Sequence, residues 1–173
     1  MRLLALIACT TALAFVAAAC SGDDTESGAE WVESFCTLTR AWGEDLEEVA
    51  SEMSSRSLSL DELGELATAA RRATTEYVDG LRSLGPPEDA GDELTVALED
   101  LAAEVEGEAD EIEDAVDDAA GLNGVVTAAR EIAASVAAMF TALERTLETF
   151  ASVDDDELRT ALEEADGCAL GSG

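Results

Sequence analysis

The sequence predicts an all-α fold, an up-down-up-down four-helix bundle with a short fifth C-terminal helix. Three observations carry this prediction. Apolar residues recur at helical spacing through four long stretches; links rich in Ser, Gly or Pro separate those stretches; and no window alternates with period two. Hydrophobic residues make up 47% of the 173-residue chain but aromatics only 4%, so the core is built mainly from Leu, Val, Ile and Ala, a composition that favours helices over sheets.

The first stripe is Trp31, Phe35, Leu38, Trp42, Leu46, Val49 and Met53, introduced by Ser27 and Glu30 at the spacing of a capping box. Ser54 to Ser59 interrupts it, and Ser59 with Glu62 supplies the next start signal. Leu63, Leu66, Ala70, Ala73, Tyr77, Leu81 and Leu84 form the second stripe, which Gly85-Pro86-Pro87 ends, because Gly suits the C′ position and Pro cannot continue a helix. The third runs Leu94, Leu98, Leu101, Val105, Ala109, Ile112, Val116 and Ala119, and is expected to end around Gly121 to Gly124. The fourth is Val125, Ala129, Ile132, Val136, Met139, Leu143, Leu147 and Phe150. A short fifth segment, expected to be capped by Asp154 with Glu157, carries Leu158, Ala161, Leu162 and Ala165.

Ahead of these helices stands a leader. Arg2 precedes an apolar run, Leu3 to Ala19, that closes on Ala17-Ala18-Ala19-Cys20, and a basic start with small residues at the end marks a secretory signal. The close resembles the bacterial lipobox, whose cysteine receives diacylglycerol and becomes the first mature residue, although the usual Leu three positions earlier is Ala17 here. The resemblance implies a signal peptide at 1–19 and lipidation of Cys20; the Gly, Ser and acidic residues from Ser21 to Gly28 lack periodicity, so 20–28 reads as a flexible tether and the folded domain as 29–170. Ordinary secretion after Ala19 and retention of the leader as an anchor are the alternatives, and all three place the domain outside the cytoplasm.

Cysteine parity favours lipidation. Cys9 leaves with the leader and Cys20 takes the lipid, so the mature domain keeps an even pair, Cys36 and Cys168, as an oxidising compartment requires. In an up-down-up-down bundle the start of the first helix and the end of the fourth share one end. That topology predicts a Cys36–Cys168 disulfide beside the lipid anchor, worth roughly 5 kcal/mol in the chain-entropy model. Phe35, Cys36 and Trp42 at the front, with Leu158, Ala161, Ala165, Cys168 and Leu170 at the back, also resemble a pattern in small helical-bundle lipoproteins of high-GC Gram-positive bacteria. The resemblance implies a disulfide-closed bundle and no activity.

Forty carboxylates stand against nine basic residues, all Arg, for a net charge of −31; loss of the leader, which carries Arg2 and no acid, makes it −32. Such a surface repels nucleic acid and anionic headgroups, whose binding depends on Lys and Arg displacing counterions. Two readings of the charge stay open: adaptation to a salty or GC-biased setting, and a carboxylate surface that binds cations. The densest stretch, Glu88 to Asp118, holds fifteen carboxylates in 31 residues. Like charges at Glu104/Glu108, Asp110/Asp114 and Asp114/Asp118 repel at i, i+4, so something must offset them. The stretch lacks the spacing of a calcium loop, and an exposed helix face does not wrap six to eight ligands around an ion.

With no His and no Lys, the chain lacks the common general base, the Ser-His and Cys-His pairs, the Schiff-base amine and the common transition-metal ligand. No catalytic residue, metal ligand or cofactor is therefore assigned. The expected activity is that of a non-enzymatic binding or accessory module on the outer face of a bacterial cytoplasmic membrane, held by its lipid anchor and serving an envelope or membrane protein. A binder of divalent cations or cationic small molecules is the alternative.

Overall fold

The computed structural model describes residues 27–55, 58–87, 91–165 and 168, and among them the chain forms five helices and no strand: α1 (Gly28–Ser55), α2 (Leu60–Leu84), α3 (Asp92–Asp117), α4 (Gly121–Ser152) and α5 (Asp156–Glu164). The leader, Cys20 and the tether as far as residue 26 lie outside the described residues.

Local chemistry explains several helix ends. Ser27 Oγ accepts from the Glu30 backbone N–H at 3.3 Å while the Ser27 N–H donates to the Glu30 carboxylate at 3.1 Å, so α1 begins at Gly28, inside the stretch assigned to the tether. Ser59 and Glu62 make the same reciprocal pair at the start of α2. Gly85 ends α2 with φ +61°, a left-handed value that glycine adopts without a Cβ penalty.

Two expected boundaries move. Gly121 to Gly124 is not the link after the third helix but the first turn of α4; the chain reverses over residues 118–120 alone. A Cβ on Gly124 would lie 3.0 Å from the Ala119 carbonyl carbon, so glycine allows this tight return. The cap of α5 is Asp155 rather than Asp154. Its backbone is extended at φ −127°, and its carboxylate accepts from the Glu157 and Leu158 N–H groups at 2.9 and 3.0 Å.

The helical stripes meet in one core. Trp31, Phe35, Tyr77, Leu94, Leu101, Ile112, Ile132, Met139, Leu143 and Phe150 are fully buried within it. Cross-helix contacts run through neighbouring helices in opposite residue order. Trp31 Nε1 donates to the Gly85 carbonyl at 2.7 Å and Trp42 Nε1 to Thr74 Oγ1 at 3.3 Å, joining α1 to α2. Arg71 pairs with Glu113 and Arg82 with Glu106 between α2 and α3, and Arg145 pairs with Glu104 at 2.9 Å between α4 and α3. These arginines answer part of the repulsion within the acidic row of α3. Each pair is about half exposed and therefore screened by solvent.

α2 also approaches α4, where Thr74 Oγ1 lies 3.9 Å from Met139 Sδ. Residues 123–152 of α4 are long and apolar enough to cross a membrane by composition, but in this fold their apolar side packs on α3, α2 and the aromatic side chains of α1.

Candidate functional site

The seam between α1 and α4 differs from the other helix seams, because the two backbones make few close approaches and α5 contacts both of them. Large side chains close one end of it. Trp31 stacks on Phe35 at 5.3 Å, and Phe150 meets both rings edge-on at 5.6 and 5.4 Å. Leu158 and Leu162 of α5 are buried in the same cluster, and the Cys36–Cys168 disulfide pins the chain after α5 to α1, with Cα atoms 4.8 Å apart. Midway along the seam, Trp42 stacks on Tyr77 at 4.4 Å and leans on Phe140 of α4.

Burial pushes the Tyr77 hydroxyl far above its ordinary pKa, partly opposed by the hydrogen bond it shares with Thr39 at 3.3 Å.

Toward the other end the facing residues shrink. From α1 come Val49, Ala50, Met53 and Ser54; from α4 come Val125, Val126, Ala129, Arg130, Ala133 and Val136; Leu58 lies across the end. These side chains are too short to span a separation set by aromatic rings and α5 at the closed end. An open apolar groove of about 680 Å³ remains, within the usual range for small-molecule sites of roughly 300–1,000 Å³. Val49, Val125 and Val136 form its floor, while Val126 on the wall is 51% exposed.

The groove's electrostatics run against the rest of the surface. Among the described residues its lining contains no carboxylate, and Arg130 is its single charge. By contrast, the cleft between α1 and α2 carries Asp45, Glu48, Glu52, Glu65 and Glu76 against the single cation Arg72, and the cleft between α3 and α4 carries Glu108, Glu111, Asp114, Asp118 and Glu131. The positions one turn away from Arg130 on α4 are Val126, Thr127, Ala133 and Ala134, so its own helix offers it no carboxylate partner. Ser54 Oγ donates to the Ala50 carbonyl at 2.7 Å, an ordinary helical back-bond rather than the arrangement of an activated nucleophile.

No family model matches this chain, and neither curated proteins nor solved structures show a match to it.

Of the residues singled out from sequence, Cys36 and Cys168 are brought together, whereas Cys20 lies outside the described residues. Glu104, Glu108 and Glu111 do not converge: Glu104 turns to Arg145, and Glu108 and Glu111 border the open α3–α4 cleft. Among the described residues no three Asp, Glu or Cys side chains are grouped so as to hold a metal ion.

The groove itself was missed by sequence reasoning. One signal was present, in that Val126 and Ala133 extend the apolar face of α4 beyond its main stripe.

Proposed function

We propose that this chain is a lipid-anchored, extracytoplasmic and non-enzymatic binding module that presents the α1–α4 groove to an apolar ligand. In this reading the five helices form an up-down-up-down bundle with α5 against its closed end, supported by the opposite residue order of the contacts between successive helices. Ser27, where the described chain begins, and the disulfide then share that closed end. Val49 lies 21 residues beyond Gly28 along α1, roughly 30 Å at 1.5 Å per residue, so the groove faces away from the membrane. The observation that carries the reading is an open apolar groove whose described lining holds no carboxylate, on a protein of net charge −31. Exposed apolar concavities of this kind are where proteins take ligands or partners.

Two measurements test it. Mass spectrometry of the mature N-terminal peptide is expected to find acyl chains on Cys20; an unmodified Cys20 would end the lipid-anchor reading, and an intact leader would mean an uncleaved anchor. Nile red, a neutral dye, is expected to bind saturably and to lose binding in Ala133→Trp, which fills the groove; dye binding unchanged by that substitution would remove the groove from the account.

The five carboxylates of the α3–α4 cleft support a second reading, weak binding of divalent cations. Under that reading millimolar calcium raises the melting temperature beyond an ionic-strength control and loses the effect when Glu108 and Glu111 become Gln. We expect calcium to do no better than monovalent salt.

A further inference from the structure

We infer that the groove takes a single-chain amphiphile with an anionic head, a long-chain carboxylate, whose acyl chain lies on Val49, Val125 and Val136 and whose head pairs with Arg130; this rests on the groove reading above. Charge complementarity selects the ligand class. A cationic amphiphile would meet Arg130 as its nearest charge and would find carboxylates only outside the groove. A neutral one would leave the guanidinium at the rim without a partner. An anionic head fits, because guanidinium donors match a carboxylate in a fork and Arg130 has no ion pair with any described residue.

Four of the seven described arginines, Arg71, Arg82, Arg145 and Arg159, pair with a carboxylate, whereas Arg40, Arg72 and Arg130 have no ion pair with a described residue. Of these three only Arg130 lines the apolar groove, since Arg72 stands among the carboxylates of the α1–α2 cleft. Arg130 sits instead on a groove whose described lining holds no acid and is mostly apolar. The distribution also steers the ligand. Five carboxylates outweigh Arg72 in the α1–α2 cleft and five stand without a cation in the α3–α4 cleft, so both clefts are net negative and disfavour an anionic head, whereas this groove offers an apolar floor beside a cation.

The test uses the full chain carrying Cys20→Ser, purified without an acyl anchor, and calorimetric titration below the micellar range with dodecanoate, dodecanol and dodecyl phosphate. Dodecanoate is expected to bind saturably at one site, about tenfold tighter than dodecanol, with the preference lost in Arg130→Gln while dodecanol binding stays unchanged. Equal affinity for dodecanoate and dodecanol, or a preference that survives Arg130→Gln, would overturn the anionic-head assignment and leave the groove reading intact. Dodecyl phosphate binding more than tenfold tighter than dodecanoate would overturn the carboxylate in favour of a phosphate head. Failure of all three to bind, or binding that persists in Ala133→Trp with an unchanged melting curve, would overturn the inference together with the groove.

Discussion

The two ends of the α1–α4 seam are built from the same pair of helices, with apolar residues at the same spacing, yet one is a packed core and the other an open groove. At the closed end Trp31, Phe35 and Phe150 interlock, with Leu158 and Leu162 filling in from α5. At the open end Val49 and Met53 face Val125, Ala129 and Val136, and among the described residues no helix covers them as α5 covers the other end. Periodicity decides which face of a helix is apolar, but side-chain volume across the seam decides whether that face is filled. The contrast can be broken or sharpened by substitution.

The largest expected effect belongs to the closed end. Phe150→Ala removes a fully buried ring touching two others and is expected to cost about 3–5 kcal/mol in urea unfolding. Met53→Ala, partly buried at the open end, is expected to cost about 1 kcal/mol. Equal costs would mean that the two ends are packed alike.

Removing the disulfide with Cys36→Ser and Cys168→Ser comes next, at about 2–5 kcal/mol. Hydrogen exchange is expected to show the loss concentrated in α5 and the first turns of α1, with the α4 amides beside the groove unchanged. Uniform loss along the seam would contradict the local role assigned to α5.

Adding volume provides the converse test. Ala70→Leu places extra methyl groups in a filled position, with about 1–3 kcal/mol lost to overpacking, whereas Ala133→Leu occupies open groove and is expected to change stability by about 0.5 kcal/mol or less. A comparable penalty at Ala133 would show that the groove is already filled in solution.

The smallest effect is seen only at alkaline pH. Burial raises the Tyr77 pKa, so above about pH 10 the unfolded chain releases this proton while the folded chain retains it, and stability falls as pH rises. Tyr77→Phe is expected to flatten that alkaline slope relative to wild type, because it removes the proton that only the folded state keeps. An unchanged slope would mean that Tyr77 is not the group responsible.

Much of this architecture was legible in the amino acids themselves. The spacing of Trp31 to Met53 and of Leu63 to Leu84 identified two buried faces, and Ser27-Glu30 and Ser59-Glu62 marked two helix starts, because capping involves residues three apart and needs no distant partner. The Gly121–Gly124 boundary was harder. Glycine usually ends helices, whereas here Gly124 permits a close pass of Ala119 at the start of one, which only the path of the chain could show. Cysteine parity and bundle topology together placed Cys36 beside Cys168. Tertiary structure decided the rest: which arginines reach the acidic row of α3, and that Arg130 pairs with none of its described members; that Glu104 turns to Arg145 while Glu108 and Glu111 border an open cleft; and that Ala50 and Ala133 line the same groove. Each of these depends on the distance between helices far apart in sequence, which is set by the volumes of the side chains packed between them, and no periodicity within a single helix encodes that distance.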